Sequence, residues 1–326
     1  MATTLFSRIA CRLLAIFVSI VYAFTPYVPP VTTDPIQGCD ENGANMTFVA
    51  WADSQLSNYM AKRYKYFDAA CEDVSNAGNG VDALLIAGDI AENGLLCEYQ
   101  YVTDHLKDAK VDRFITAVGN HDVRLKIYKN TVKNFTRFNN ILNENVGSDM
   151  TIDKLHYTYE IKGYKFIVLG TDRTEFEESY INDEQLSWLD SELQKATADG
   201  SPVFVMIHQT FKLTHGLPDT WNSPFDRAGS VGDQSEELYD IMNQYNNVFL
   251  ISGHLHTGIG KYTYERHGKI NSVNLPSLTI NNKDGDCNDN GIGFMVEVYD
   301  SHILFRARNF AKGLYMPEYD IDIPIE

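Results

Sequence analysis

Short apolar runs alternate with longer segments of mixed polarity over the first half of the chain. Residues 47–52, 83–87 and 114–118 are apolar stretches of strand length, and the segments between them, 56–76 and 99–110, are helical in composition. Tyr128, Val132, Phe135, Phe138 and Leu142 recur at helical spacing, which predicts a covering helix with Asn134 off its apolar stripe. Residues 157–161 and 164–169 flank Lys162-Gly163, the spacing of a β-hairpin. Asn182, followed three residues later by Gln185, predicts a capped helix whose Leu186, Leu189 and Leu193 share one face. Residues 203–207 and 248–251 read as buried strands, and 291–298 with 302–307 as a late strand pair. Strands first alternate with helices and then run in pairs. The pattern therefore predicts an α/β fold with two stacked β-sheets flanked by helices, occupying residues 46–326.

The first residues do not belong to that pattern. Arg8 and Arg12 precede residues 13–24, where only Ser19 is polar, and Val21-Tyr22-Ala23 has the small-residue character of a cleavage site. Residues 1–23 thus read as a secretory signal peptide, and the apolar stretch falls short of the roughly 20 residues that span a bilayer. Residues 24–45, rich in proline, are expected to form an extended leader. The expected location is outside the cell or in the lumen of the secretory or lysosomal pathway, with no stable membrane span. Cys11 leaves with the signal, and Cys39, Cys71, Cys97 and Cys287 form an even set for which two disulfides are expected. Asn45-Met46-Thr47 and Asn134-Phe135-Thr136 are glycosylation sequons.

Composition narrows the partners. Hydrophobic residues make up 44% and charged residues 22%, as in globular proteins, and 44 acidic against 27 basic residues give a net charge of −17. Such a surface repels a polyanion, so no nucleic-acid polymer is expected as a partner.

The candidate chemistry lies where apolar strands end. Residues 48–52 run into Asp53-Ser54-Gln55, 83–87 into Gly88-Asp89, and 114–118 into Gly119-Asn120-His121-Asp122. Residues 203–207 run into His208, and 248–252 into Gly253-His254-Leu255-His256. Ligands of an α/β sheet bind beyond the carboxyl ends of its strands, so five such ends can converge on one point. A Gly-Asp turn or a lone histidine is commonplace, but the ordered conjunction is not.

This series resembles the calcineurin-like metallophosphoesterase superfamily, with its D-x-H, G-D, G-N-H-D/E, strand-end His and G-H-x-H pattern, over residues 53–256. The resemblance implies two divalent metal ions, Mn, Fe, Zn or Mg. Asp53, Gln55, Asp89 and His256 would hold one, and Asp89, Asn120, His208 and His254 the other, with Asp89 bridging. Gln55 stands where the family pattern has histidine, and its amide oxygen can still ligate. The same resemblance makes His121 the general acid and Asp122 the group that holds its ring. It implies a secreted phosphoesterase that hydrolyses a phosphate mono- or diester through a two-metal-activated hydroxide. The alternatives are a non-catalytic metal-bearing binding protein of the same fold, and a hydrolase of non-phosphate esters.

Two further segments carry expectations. Asp286 to Gly291 with Glu297 fits a calcium-loop pattern, but the residues around Glu297 read as a strand where that motif needs a helix, so a polar loop is expected. Residues 209–234, with His215, Trp221, Asn222 and Arg227, form a long irregular stretch that is a candidate substrate rim, a passive surface loop being the alternative.

Overall fold

The computed structural model describes residues 34–57, 59–221 and 229–326. A helical turn α1 (Cys39–Asn42) precedes β1 (Met46–Trp51), α2 (Ala61–Ser75), β2 (Ala83–Ala87), α3 (Leu96–Leu106), β3 (Phe114–Ala117), the short α4 (Asn120–Val123) and α5 (Tyr128–Asn145). The hairpin β4 (Tyr157–Ile161) and β5 (Tyr164–Val168) follows, then α6 (Asp183–Ala196), β6 (Val203–Met206), α7 (Ser235–Met242) and β7 (Val248–Ser252). The chain closes with β8 (Tyr264–His267), β9 (Ile270–Asn274), β10 (Ile292–Val298), β11 (His302–Asn309), β12 (Leu314–Tyr315) and β13 (Ile321–Pro324).

The strands form two mixed sheets, one ordered β12-β11-β10-β1-β2-β3 with β13 on β11, the other β4-β5-β6-β7-β9-β8. Strands β1, β2 and β3 are mutually parallel, as are β5, β6, β7 and β9, while β10 pairs antiparallel with β1. Successive side chains of a strand point to opposite faces, and here both faces are buried. Val49, Trp51, Leu84, Ile86 and Phe114 pack with α2, α3 and α5, whereas Phe48, Ala50, Leu85 and Ile115 face the second sheet's Phe166, Val168, Phe204 and Met206. The Phe48 ring meets those of Phe166 and Phe204 edge-on at 5.5 and 5.2 Å. The alternate residues Ile167, Val203, Val205 and Leu250 pack with Leu186, Leu189, Leu193 and Leu238 of α6 and α7. The result is the expected pair of stacked sheets between helices.

Several boundaries differ from the sequence expectation. The helix expected from residue 56 starts at Ala61, because the Gln55 and Leu56 amides donate instead to the carbonyls of Asp89 and Ile90. The next helix starts at Leu96, three residues early, since Glu98 reaches back to accept from the Asn93 and Leu95 amides. Asn182 caps α6 as expected, its side chain accepting from the Gln185 amide at 2.8 Å.

The signal-peptide expectation lies outside the described residues. Of the leader, residues 34–45 are described, and they are not simply extended: α1 interrupts them and Ile36 is buried in the core. The two expected disulfides are absent, for Cys39, Cys71, Cys97 and Cys287 are not paired with one another. Their positions explain this. Cys71 is buried on α2 in the outer core, Cys287 packs against the inter-sheet core, and Cys39 donates to Asp82. The loop around Asp286 is polar and leads into β10, with Asp289 paired to Lys312 and Glu297 to Arg306.

Candidate metal centre

The C-terminal ends of five strands meet at one edge of the sandwich. Asp53, Asp89 and Asn120 follow β1, β2 and β3 of the first sheet, and His208, His254 and His256 follow β6 and β7 of the second. Backbone and side-chain bonds lock the ends together: the Asp53 amide donates to the Gly88 carbonyl at 3.2 Å, the Gly253 amide to the His208 carbonyl at 2.9 Å, and the His254 amide to Asp53 Oδ2 at 2.9 Å. This last bond crosses from one sheet to the other.

The local backbone is unusual. Asp53, Gln55, Asp89, His254 and His256 have φ of 52°, 35°, 50°, 74° and 51°, in the left-handed region that side chains with a Cβ rarely adopt. Such conformations persist where the surroundings over-determine them, and they concentrate at functional sites. Gly88 and Gly119 allow the close approach. A Cβ on Gly88, whose φ is +88°, would lie 2.5 Å from His208 Nδ1, and one on Gly119 would lie 2.1 Å from Asp89 Oδ1.

The donor atoms fit a divalent cation. One ligand atom from each of Asp89, His208 and His254 lies within 4.8 Å of the others, and all three residues are buried. His254 Nε2 and Asn120 Oδ1 are buried without a hydrogen-bond partner, and His208 Nε2 faces Asp89 Oδ2 at 3.3 Å. Buried polar atoms normally have partners, and here two potential ligands of one set lack them while a third meets only a carboxylate of the same set. His208 Nδ1 donates to the Ala87 carbonyl at 2.7 Å, which leaves Nε2 for a ligand. The Asn120 amide donates to Glu177 Oε2 at 2.6 Å, which turns Oδ1 away toward the site.

The first-ion set is less completely arranged. His256 Nε2 stands 3.2 Å from Asp53 Oδ1, and His208 Nε2 3.8 Å from the same oxygen. Gln55 directs Nε2 to Asp89 Oδ2 at 3.1 Å, so ligation through its carbonyl oxygen requires the amide to turn over.

Electrostatics match a cation-binding cluster. Burial alone would raise the Asp89 carboxyl, but the His208 and His121 charges hold it far below the usual carboxylate range. Burial would lower His208, yet Asp89 and Asp53 push its imidazole up to about 10. His254 is driven well below the ordinary range by burial and by the His208 charge. A divalent ion would relieve each imbalance, taking the place of the imidazolium between the carboxylates.

His121 and Asp122 do not act as a pair. Asp122 directs its carboxylate to the amides of Ile90, Ala91 and Gly119, at 3.2, 3.2 and 3.0 Å, and accepts from the Tyr99 hydroxyl at 2.9 Å. It ties the loop after β2 to the loop after β3. The ring of His121 is instead gripped from outside by Glu92 and Arg124: Nδ1 is 3.0 Å from the Glu92 carbonyl, 3.3 Å from Glu92 Oε1 and 2.8 Å from Arg124 Nη2. Nδ1 thus faces two acceptor oxygens of Glu92 and a donor of Arg124, while Nε2 stands 3.9 Å from Asp89 Oδ2.

Glu92, Arg124 and Glu177 were not evident from sequence. Glu92 lies three residues past Asp89, and Glu177 sits in an irregular segment with no periodic signal. Arg124 Nη1 also reaches Glu177 Oε1 at 3.3 Å, joining the support of His121 to that of Asn120. Of the expected rim, Trp221 stacks on the His254 ring at 4.4 Å, while Asn222 and Arg227 lie outside the described residues. His215 is buried and satisfied by the Tyr262 carbonyl and Ser272 Oγ, a structural role rather than a rim.

A family model described as calcineurin-like phosphoesterase matches residues 46–258. Among curated proteins, a 3',5'-cyclic-nucleotide phosphodiesterase of Nostoc sp. is 25% identical over 189 residues, covering 57% of this chain and 60% of that protein. A probable cyclic nucleotide phosphodiesterase of Rhodococcus erythropolis is 27% identical, covering 55% of this chain and 53% of that one. The chain thus spans somewhat more than half the length of these relatives. Among solved structures, a dimetal phosphatase from Danio rerio superposes with a TM-score of 0.54 at 13% identity, covering 87% of this chain and all of that one. A purple acid phosphatase from yellow lupin gives 0.54 at 12% identity, covering 86% of this chain and 53% of that one. At these identities the two structures share the fold.

Proposed function

The chain belongs to the calcineurin-like phosphoesterase family, and from that premise we propose that it is an exported, binuclear metal-dependent phosphodiesterase acting on nucleotide phosphodiesters. One observation carries the reading: Asp89, His208 and His254 bring ligand atoms within 4.8 Å of one another, and the buried His254 Nε2 and Asn120 Oδ1 beside them have no hydrogen-bond partner. In the proposal Asp53, Gln55, Asp89 and His256 hold the first ion, and Asp89, Asn120, His208 and His254 the second. The bound ions supply Lewis-acid activation of water and neutralise charge on the phosphate. His121 then gives the Nε2 proton to the departing alkoxide, and Glu92 and Arg124 keep its ring in place. A purely structural metal site would have no use for a histidine held in this way, which weighs against a non-catalytic binding protein. The names of the Nostoc and Rhodococcus relatives support a cyclic nucleotide as substrate. Export is supported by the apolar residues 13–24 behind Arg8 and Arg12.

The test is hydrolysis of 3',5'-cyclic AMP, bis(p-nitrophenyl) phosphate and p-nitrophenyl phosphate by purified protein supplied with Mn²⁺, Zn²⁺ or Mg²⁺. Diester hydrolysis that is abolished by chelation, restored by metal and lost in Asp89→Asn is expected. No turnover of either diester with any metal would sink the proposal.

A further inference from the structure

Beside the metal centre lies a cleft of ≈ 220 Å³, walled by Met60, Lys62 and Arg63 at the start of α2 and by Thr279, Ile280 and Asn281. Both walls are pinned to the segment that carries Asp53 and Gln55. Arg63 Nη1 donates to the Gln55 carbonyl at 2.6 Å, Thr279 Oγ1 to the Ser54 carbonyl at 2.6 Å, and Ser277 Oγ to the Asp53 carbonyl at 2.9 Å. The cleft therefore sits at a fixed offset from the first-ion ligands. Its volume is below the roughly 300–1,000 Å³ that encloses a whole drug-sized ligand, so it suits one ring of a molecule anchored elsewhere.

The lining suits a flat heteroaromatic ring. Met60, 48% exposed, and the half-buried Ile280 offer apolar surface from opposite walls. Asn281 is exposed, and among the described residues its side-chain amide makes no hydrogen bond, so both a donor and an acceptor are available to a ring edge. Arg63 is already paired with Glu92, while Lys62 is in no ion pair among the described residues. A purine or pyrimidine answers this chemistry: apolar faces that stack and an edge that an asparagine amide can read.

We infer that this cleft is the nucleobase subsite of a nucleotide phosphodiester whose phosphate lies at the metal centre. The inference rests on the phosphodiesterase reading above. Its test does not require turnover: AMP and inorganic phosphate are titrated separately by calorimetry into Mn²⁺-loaded wild type, Asn281→Ala and the cleft-filling Ile280→Trp. Both ligands share the phosphate, so the ratio of their affinities isolates the base. The ratio should favour AMP in the wild type and fall by about tenfold in each variant, the loss of one edge contact or one stacking face. A ratio that stays the same in both variants, or no preference for AMP in the wild type, overturns the subsite. A ratio that falls as expected without turnover of any diester upholds the subsite and faults the activity alone.

Discussion

His121 and Asp122 are neighbours in sequence with separate duties, and substitutions should separate them. His121→Ala should keep its metal content while kcat falls by about 10²–10⁴-fold, most for alkyl esters and least for p-nitrophenyl esters, whose leaving groups need little protonation. Equal losses on both, with metal measured in the same samples, would remove the general-acid role. Asp122→Ala should instead act on stability, because it strands the buried amides of Ile90, Ala91 and Gly119. At about 1–3 kcal/mol for each unsatisfied buried group, urea unfolding should show a loss of several kcal/mol. A stability equal to wild type would mean that these amides find other partners. The candidate ligands could be picked out of the sequence because each stands where an apolar run stops. The partner of Asp122 was not, since its contacts at Ile90 and Ala91 come from another strand end and carry no motif.

At the scale of elements, the centre depends on how closely two sheets approach. The Gly88 position lies against the His208 ring, and its φ of +88° disfavours any side chain. Gly88→Ala should therefore displace His208, costing second-ion affinity more than it costs the fold. Metal content after dialysis, compared with circular dichroism of the same protein, checks this; full metal occupancy in Gly88→Ala would refute it. Most strands could be read from continuous apolar runs. The pair β8 and β9 could not, for Tyr264–His267 and Ile270–Asn274 are largely polar, and β9 is buried through its place beside β7. Helix onsets were misplaced where amides found other acceptors, the distant carbonyls of Asp89 and Ile90 at one helix and the first-turn Glu98 carboxylate at the next.

For the whole molecule, the proposed ligands come from both sheets, Asp89 and Asn120 from one and His208 and His254 from the other. Bound ions should therefore stabilise the sandwich itself, by about 2.7 kcal/mol at a hundredfold excess over Kd. In chelated protein His208, pushed up to about 10, supplies part of this attraction. A folded pKa above the ordinary 6.5 means that this contribution is complete below pH 6.5 and is lost as pH rises through 10. Scanning calorimetry should find Tm of the chelated protein falling between pH 7 and 10, and added Mn²⁺ raising Tm at pH 7; a Tm indifferent to Mn²⁺ would contradict binding across the sheets. The α/β class was legible because the order of apolar runs encodes it. The closure of the first sheet was not, since strand order is set by pairing between distant parts of the chain. Strand β1 pairs on one side with β2 and on the other with β10, which begins at Ile292. On the ribosome, at about 5–20 residues per second, that second edge of β1 waits roughly 10–50 s for its partner to be made. Throughout that interval the nascent chain carries an open apolar strand edge, so cellular yield should be governed by whatever shields β1 during synthesis rather than by the stability of the finished fold.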